Sequence, residues 1–407
     1  MSDSNKWDTI VIGGGIMGSW TAVQLLRAGV EKVLLLEKFP LPHTRGSSHG
    51  ATRICRFGYP QDHQTILARD SLQDWFWLQQ ESGQQIIRET PLLWTADAKN
   101  EHEMTHALAN IKNLCPQARV RVFEDPAVTS ISQEFPQLTF PSEICASAML
   151  DNSAYVLMAD KITSLLRTWI CQHGGVIKDG MEVQGIQVDG NEDVAVETQG
   201  QSQKFHAKTL VICAGAWAKP FLEMAGVGTL PLQPVKIQVA YFQEKPGQKH
   251  PHLSQIHESS KYNCNWSIPS IEYPGLVKFG PHQGPAINPD ARDAVDAEGE
   301  LKKLREFVAE TCQALDPTPK IVETCMYTAP DSNWDLLSEK SWPLGLKEEK
   351  FLTNCQPCLL QDLHNLSSKQ LAEKFRSMWY LSEYVHIETC KKNTTSRAML
   401  KDEIPPV

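Results

Sequence analysis

Thr9-Ile10-Val11-Ile12-Gly13-Gly14-Gly15-Ile16-Met17-Gly18 carries a β-branched run straight into a glycine-rich turn. Thr9 to Ile12 reads as a buried strand of a parallel sheet, apolar on both faces. In such a strand–turn–helix unit Gly13 permits the tight turn and Gly15 lets backbone approach a pyrophosphate. Gly18 lets the next helix pack closely on the sheet. The helix opening there aims unpaired N–H groups and its positive dipole end at phosphate. A helical pattern runs from Ser19 to Ala28, Gly29 stops it, and Val33 to Leu36 is a second apolar strand ending in Glu37. An acidic residue there, about 20 residues past the glycines, is placed to bind both hydroxyls of an adenosine ribose. The pattern indicates a dinucleotide and leaves NAD and FAD both open.

The 407 residues are 41% hydrophobic and 21% charged, as in an ordinary soluble globular protein with room for two domains. A net charge of −9 argues against a nucleic-acid or anionic-membrane partner. No apolar run reaches membrane-spanning length, and the polar stretch Met1 to Trp7 is no secretory signal. The 11 cysteines read as reduced thiols of an intracellular chain, without a metal site.

Downstream, Gly46-Ser47-Ser48-His49-Gly50-Ala51-Thr52-Arg53-Ile54-Cys55-Arg56 is a turn-rich stretch that sets two arginines three apart. A helix follows with Leu72, Trp75 and Phe76 as its apolar stripe and Gly83 as its stop. The helix Ala159 to Gln172 halts at Gly174-Gly175, and a strand pattern continues through Val183. Leu210-Val211-Ile212-Cys213-Ala214-Gly215-Ala216-Trp217 is a second strand delivering backbone to a glycine turn. Ile237 to Phe242 reads as a strand, and Glu300 to Cys312 as a helix with Leu301, Leu304 and Val308 on one face. Because the two glycine turns flank a different stretch, the domains are expected to interleave.

These segments, with Tyr273-Pro274-Gly275-Leu276-Val277-Lys278 and Cys325-Met326-Tyr327-Thr328, resemble the monomeric sarcosine oxidase family of flavoenzymes over residues 1–328. The likeness is nearest to its peroxisomal sarcosine and L-pipecolate oxidase branch. The resemblance implies an α/β fold: a Rossmann-like FAD-binding domain interleaved with an α+β substrate domain on a mixed sheet. The expected division is 1–90 and 151–230 for FAD, and 91–150 and 231–328 for substrate, with 329–407 a divergent tail. It implies FAD held at Gly13, Gly14, Gly15, Ile16, Met17 and Gly18, and at Glu37 and Lys38. Further expected contacts are Ser47, Ser48, His49, Thr52 and Arg53, then Val183, Cys213, Ala214, Gly215 and Trp217.

By the same resemblance Cys325, beside Met326, carries a covalent thioether to the flavin. A buried free cysteine is otherwise just a small apolar residue. The implied chemistry is oxidation of the C–N bond of a small secondary-amine amino acid to an imine, with O2 reduced to H2O2. Arg56 matches the carboxylate-binding arginine, a task that suits a guanidinium fork. Lys278 matches a cation over the flavin that stabilises charge developing on oxygen. His282 matches a substrate-side histidine, although a histidine in a Gly/Pro loop is often merely solvated. Tyr327 is expected to line the same cavity, and Trp266 stands where the family carries a tyrosine. A monomer and a peroxisomal address are also implied. The chain end lacks a tripeptide such as SKL, which leaves the cytoplasm open.

After Thr328 the likeness stops. The family closes its FAD domain with a strand and a glycine-rich turn of the type GFSGHGFK, yet Gly345 is the single glycine from Ala329 to Val407. An unpaired sheet edge, a half-missing carboxylate clamp and impaired or absent catalysis are the consequences expected. An alternative or mispredicted final exon would explain the break, and sequencing the transcript across codons 326–332 tests it. Cys355-Gln356-Pro357-Cys358, near His364, His386 and Cys390, is too weak a pattern for a zinc or redox site. A flavin dehydrogenase passing electrons to another acceptor is the remaining enzyme alternative.

Overall fold

The strand Lys6–Ile12 lies inside an open sheet, with Val33–Leu36 parallel on one side and Phe205–Ile212 parallel on the other. Val176–Lys178 extends the parallel part beyond Val33–Leu36, while Val183–Val188 and Val194–Thr198 form an antiparallel flap beyond Phe205–Ile212. This computed structural model describes residues 5–124, 127–188, 194–202, 204–225 and 232–330, and the short strands Phe351–Leu352 and Val385–Glu388. The period-2 alternation of strand side chains divides the core. Ile10, Ile12, Leu34 and Leu36 face Ile186, Val196 and Leu222, whereas Val11, Val33 and Leu35 face Trp20, Val23, Ile162 and Leu166. The latter four belong to the helices Ile16–Arg27 and Ala159–Gln172.

A second, mixed sheet of eight strands runs in the order Ile321–Pro330, Leu232–Gln243, Leu276–Pro281, Asn263–Pro269, Ser254–Ser259, Leu92–Ala96, Ser147–Asp151 and Val120–Val122. Its pairs are antiparallel except Ser254–Ser259 with Leu92–Ala96. The helix Glu298–Thr311 covers one face through Leu301, Leu304, Phe307 and Val308. A small antiparallel sheet, Thr52–Cys55, Tyr155–Met158 and Ile87–Glu89, holds the stretch with the paired arginines. Among the described residues no helix is long and apolar enough to cross a membrane, and no group of acidic, Cys and His side chains could hold a metal.

Some expectations shift. The first helix begins at Ile16, directly after Gly15, because the turn glycines leave its first N–H groups facing the turn rather than three residues further on. In the helix Asp62–Ser82, which ends at left-handed Gly83, Trp75 is buried but Phe76 is 41% exposed. The buried face there is Leu67, Ala68, Ser71, Asp74, Trp75 and Leu78, since tertiary contacts reach small and polar positions that an apolar stripe omits. The expected unpaired edge is occupied: Val385–Glu388 pairs antiparallel with residues 209–212 and with Phe351–Leu352. Cys355, Cys358, His364, Cys390 and the Ser367–Trp379 segment lie outside the described residues.

Candidate active site

Where the two glycine turns meet, the fold encloses a cavity of about 880 Å³. Backbone shapes it. Gly13 adopts φ +106°, and a Cβ there would stand 2.2 Å from the Cys213 carbonyl oxygen. A Cβ on Gly18 would stand 1.8 Å from the Gly13 carbonyl, so only glycine lets the helix approach the turn. Glu37 accepts from the Gly14 N–H at 2.7 Å and the Phe39 N–H at 2.9 Å. Burial works to raise its pKa, but those bonds and His43, 3.3 Å away, hold it below the usual carboxylate range. Ser48 Oγ accepts from the Ile16 N–H at the helix start.

Gly14, Gly15, Lys38, Ser47, Val183, Ala214, Gly215 and Trp217 also line this cavity. Lys38 Nζ is held by Glu182 at 2.9 Å and Asp290 at 2.8 Å, and Trp217 Nε1 donates to the same Asp290. The sequence did not suggest Arg167, which lines the cavity from the helix Ala159–Gln172 with its Nε buried and without a partner among the described residues. An extended dinucleotide fits this cradle: glycine backbone, a carboxylate fixed by two N–H groups, and an unpartnered guanidinium nitrogen.

A second cavity of about 240 Å³ shares His49 and Gly50 with the first. It gathers Arg53, Arg56, Trp266, Lys278, His282, Cys325 and Tyr327, brought from four strands and two loops. Arg56 lies with its guanidinium carbon 4.6 Å from the Tyr59 ring centre and 4.4 Å from that of Trp94, and its Nη1 is buried without a hydrogen bond. A surface charge would be neither sandwiched nor desolvated in this way. Arg53 instead donates to the carbonyls of Thr52, Ser47 and His49, pinning the loop between the cavities.

Lys278 is 2% exposed, with Nζ 3.4 Å from Thr52 Oγ1 and 3.3 Å from Glu272 Oε1. Burial lowers its pKa, Glu272 works against that, and Arg53 adds to it. A Cβ on Gly50 would stand 3.6 Å from Nζ, so the ammonium sits at the junction of the cavities. His282 is pushed down to about 4 by burial and by the Arg56 cation, which makes it a neutral imidazole at pH 7. Trp266 Nε1 donates to Tyr327 Oη at 3.1 Å, and Gly280 gives the indole room, since a Cβ there would lie 2.4 Å from the ring. Cys325 is free and 7% exposed, with Sγ 4.0 Å from the Ser47 carbonyl.

Five expected FAD contacts, Ile16, Met17, Gly18, Thr52 and Met326, line neither cavity. Met326 is fully buried against Ala216 and Ile287 and lines neither cavity, because alternation along its strand turns it away from Cys325 and Tyr327. Met17 packs into the interior beneath the first sheet. Tyr59, Glu323 and the aliphatic wall of Ile54, Ile237, Val239, Ile256 and Ile268 escaped sequence reading. Nothing in a strand's alternation tells which apolar residue faces a cavity and which a core.

A family model described as FAD dependent oxidoreductase matches residues 8–336. Peroxisomal sarcosine oxidase of Homo sapiens is 36% identical over 348 residues, which is 82% of this chain and 84% of that protein. Monomeric sarcosine oxidase of Bacillus sp. is 27% identical over 351 residues, 81% of this chain and 84% of its own. Among solved structures, NikD, an unusual amino acid oxidase essential for nikkomycin biosynthesis, superposes with a TM-score of 0.68 at 22% identity, over 81% of this chain and 83% of that one. L-proline dehydrogenase from P. horikoshii gives 0.66 at 20% identity, over 81% and 83%.

Proposed function

We propose that this chain, which belongs to the FAD dependent oxidoreductase family, oxidises the C–N bond of a small secondary-amine amino acid such as sarcosine or L-pipecolate, with O2 as electron acceptor and H2O2 as product. The observation that carries the reading is the small cavity, where Arg56, Lys278, His282, Tyr327 and Cys325 converge beside the dinucleotide cavity. Gly13 to Gly18, Glu37, Ser48 and Arg167 would hold FAD, with Cys325 as the covalent attachment point. FAD supplies the two-electron acceptor that no amino-acid side chain provides.

The chain's own groups do the rest. Arg56 has an unpartnered Nη1 for a substrate carboxylate, and its rings fix the fork in place. His282, uncharged at pH 7, accepts a hydrogen bond from the substrate nitrogen and adds no second positive charge beside Arg56. The wall of Ile237, Val239, Ile256 and Ile268 excludes water from the reacting carbon. Lys278 offers a buried cation to charge developing on oxygen, which favours an oxidase over a dehydrogenase. By likeness to its relatives we also propose a monomer that works in the peroxisome.

A second reading, an impaired chain, is supported by a family match that ends at residue 336 and by Gly345 being the single glycine beyond Ala329. Acid precipitation of the purified protein tests the first reading. A yellow pellet, together with peroxide from sarcosine or L-pipecolate, is expected. A colourless pellet and no peroxide would select the impaired chain.

A further inference from the structure

Next to Lys278, three residues that the sequence left unassigned form a continuous polar bridge. The phenol oxygen of Tyr241 lies 2.9 Å from Glu272 Oε1 and 2.9 Å from Glu323 Oε2. Glu272 Oε1 is also the atom 3.3 Å from Lys278 Nζ. Outer contacts complete the cluster: the Ile271 N–H donates to Glu272 Oε2 at 3.1 Å, and Tyr273 Oη to Glu323 Oε1 at 3.4 Å. Tyr241 is 0% exposed, and its ring packs edge-on against Tyr273 and beneath the Lys278 ammonium.

Hydrogen counting exposes a conflict. A phenol has one hydrogen to donate, and an ionised carboxylate has none. If Glu272 and Glu323 were both ionised, one of the two part-buried contacts would set acceptor against acceptor on the fully buried Tyr241, a costly arrangement. One proton on the pair removes the conflict: burial works to raise Glu272, but Lys278 and Tyr241 hold it below the usual carboxylate range, so the phenol donates to Glu272 and accepts from Glu323. Tyr241 itself cannot ionise to help: burial and the two carboxylates drive its pKa far upward. The charged and titratable groups facing this cluster are Lys278, Tyr273 and Arg53, and Arg53 is already bound to three backbone carbonyls.

We propose that Glu272 and Glu323 share one proton through Tyr241 at neutral pH, forming a proton store that positions Lys278 and recharges it. When Lys278 gives up a proton, one proton shifts along the bridge to Nζ. The carboxyl pair is left with none until one returns from the small cavity, which Glu323 lines. All three are positioning residues, and the purpose of the store rests on Lys278 being the active-site cation. The shared proton itself does not.

Infrared spectroscopy of the full-length protein, labelled with 13C-carboxyl glutamate and held at pH 7 without substrate, tests this. One protonated-carboxyl C=O band per chain should disappear in Glu272→Gln, in Glu323→Gln and in Tyr241→Phe alike. Glu258, raised to about 7 by burial, adds a band that cancels in the variant-minus-wild-type difference. No band lost in any variant would overturn the proposal, as would a band lost in one glutamate variant but kept in Tyr241→Phe. Circular dichroism certifies the fold, and Tyr241→Phe carries the contrast if a glutamine variant is unstable. An intact band in a protein that oxidises no amine supports the store and overturns the oxidase reading alone.

Discussion

The two cavities are built from different materials. The large one is made of backbone: glycines that admit close approach, N–H groups that fix Glu37, and a helix start capped by Ser48. The small one is made of side chains drawn from positions as distant as Arg56 and Tyr327, each held by its own neighbours. Backbone sites tolerate no added atom, whereas side-chain sites lose function in steps. Damage to the first should be all-or-none, and damage to the second graded.

The largest effect expected is at Gly13. Gly13→Ala places a Cβ 2.2 Å from a carbonyl oxygen and forces a side chain into φ +106°. The purified protein should contain no flavin by absorbance. A variant with full flavin content would break the contrast between the cavities.

Arg56 comes next. Arg56→Lys keeps the charge but loses the planar fork and its stacking between Tyr59 and Trp94. Loss of a charge-assisted pair of about 2–3 kcal/mol predicts a fall of roughly 10²-fold in kcat/KM, with flavin content unchanged. Flavin loss in this variant would show that the two cavities are not separable.

How much of this was legible follows from the same contrast. The stretch from Gly13 to Glu37 declares itself because turn, helix and carboxylate are adjacent in the chain, and backbone geometry admits few residue types. Arg56, Lys278, His282 and Cys325 were reachable through family likeness; their spacing alone carried nothing. Tyr241, Glu272 and Glu323 carried no signal, since their meaning arises only when Leu232–Gln243 and Ile321–Pro330 pair and the residues after Pro269 fold beside them. Met326 is the opposite case. Its motif neighbours face a cavity, and strand alternation turns it inward.

Buried histidines give a smaller effect, readable as stability. His282 falls from 6.5 to about 4, and burial also pushes His250 down to about 4 and His257 to about 3. The unfolded chain therefore binds more protons than the folded one between those values and 6.5. The stabilisation from neutral burial is complete above 6.5 and is lost as the pH falls through the window toward 4. For His282 alone the limit is roughly 3 kcal/mol, at about 1.4 kcal/mol per unit. Urea midpoints at pH 7 and pH 5 should differ less in His282→Gln than in the wild type. An equal difference in both would mean that the His282 ring is solvated.

The smallest effect expected is at Trp266. Trp266→Phe removes one hydrogen bond to Tyr327 and part of a ring that fills the space Gly280 leaves. A neutral hydrogen bond of about 1 kcal/mol predicts a change of roughly fivefold in KM for the substrate. Flavin content and kcat should hold, because the Tyr327 ring is still packed by its strand and by His282, 5.9 Å away. The direction of the KM change depends on substrate bulk: a larger amine gains from the space that a smaller one leaves empty. Measuring sarcosine and L-pipecolate side by side in Trp266→Phe therefore turns the weakest perturbation into the sharpest probe of what the side-chain cavity selects. Equal shifts for both substrates would show that Trp266 orients Tyr327 without touching the substrate.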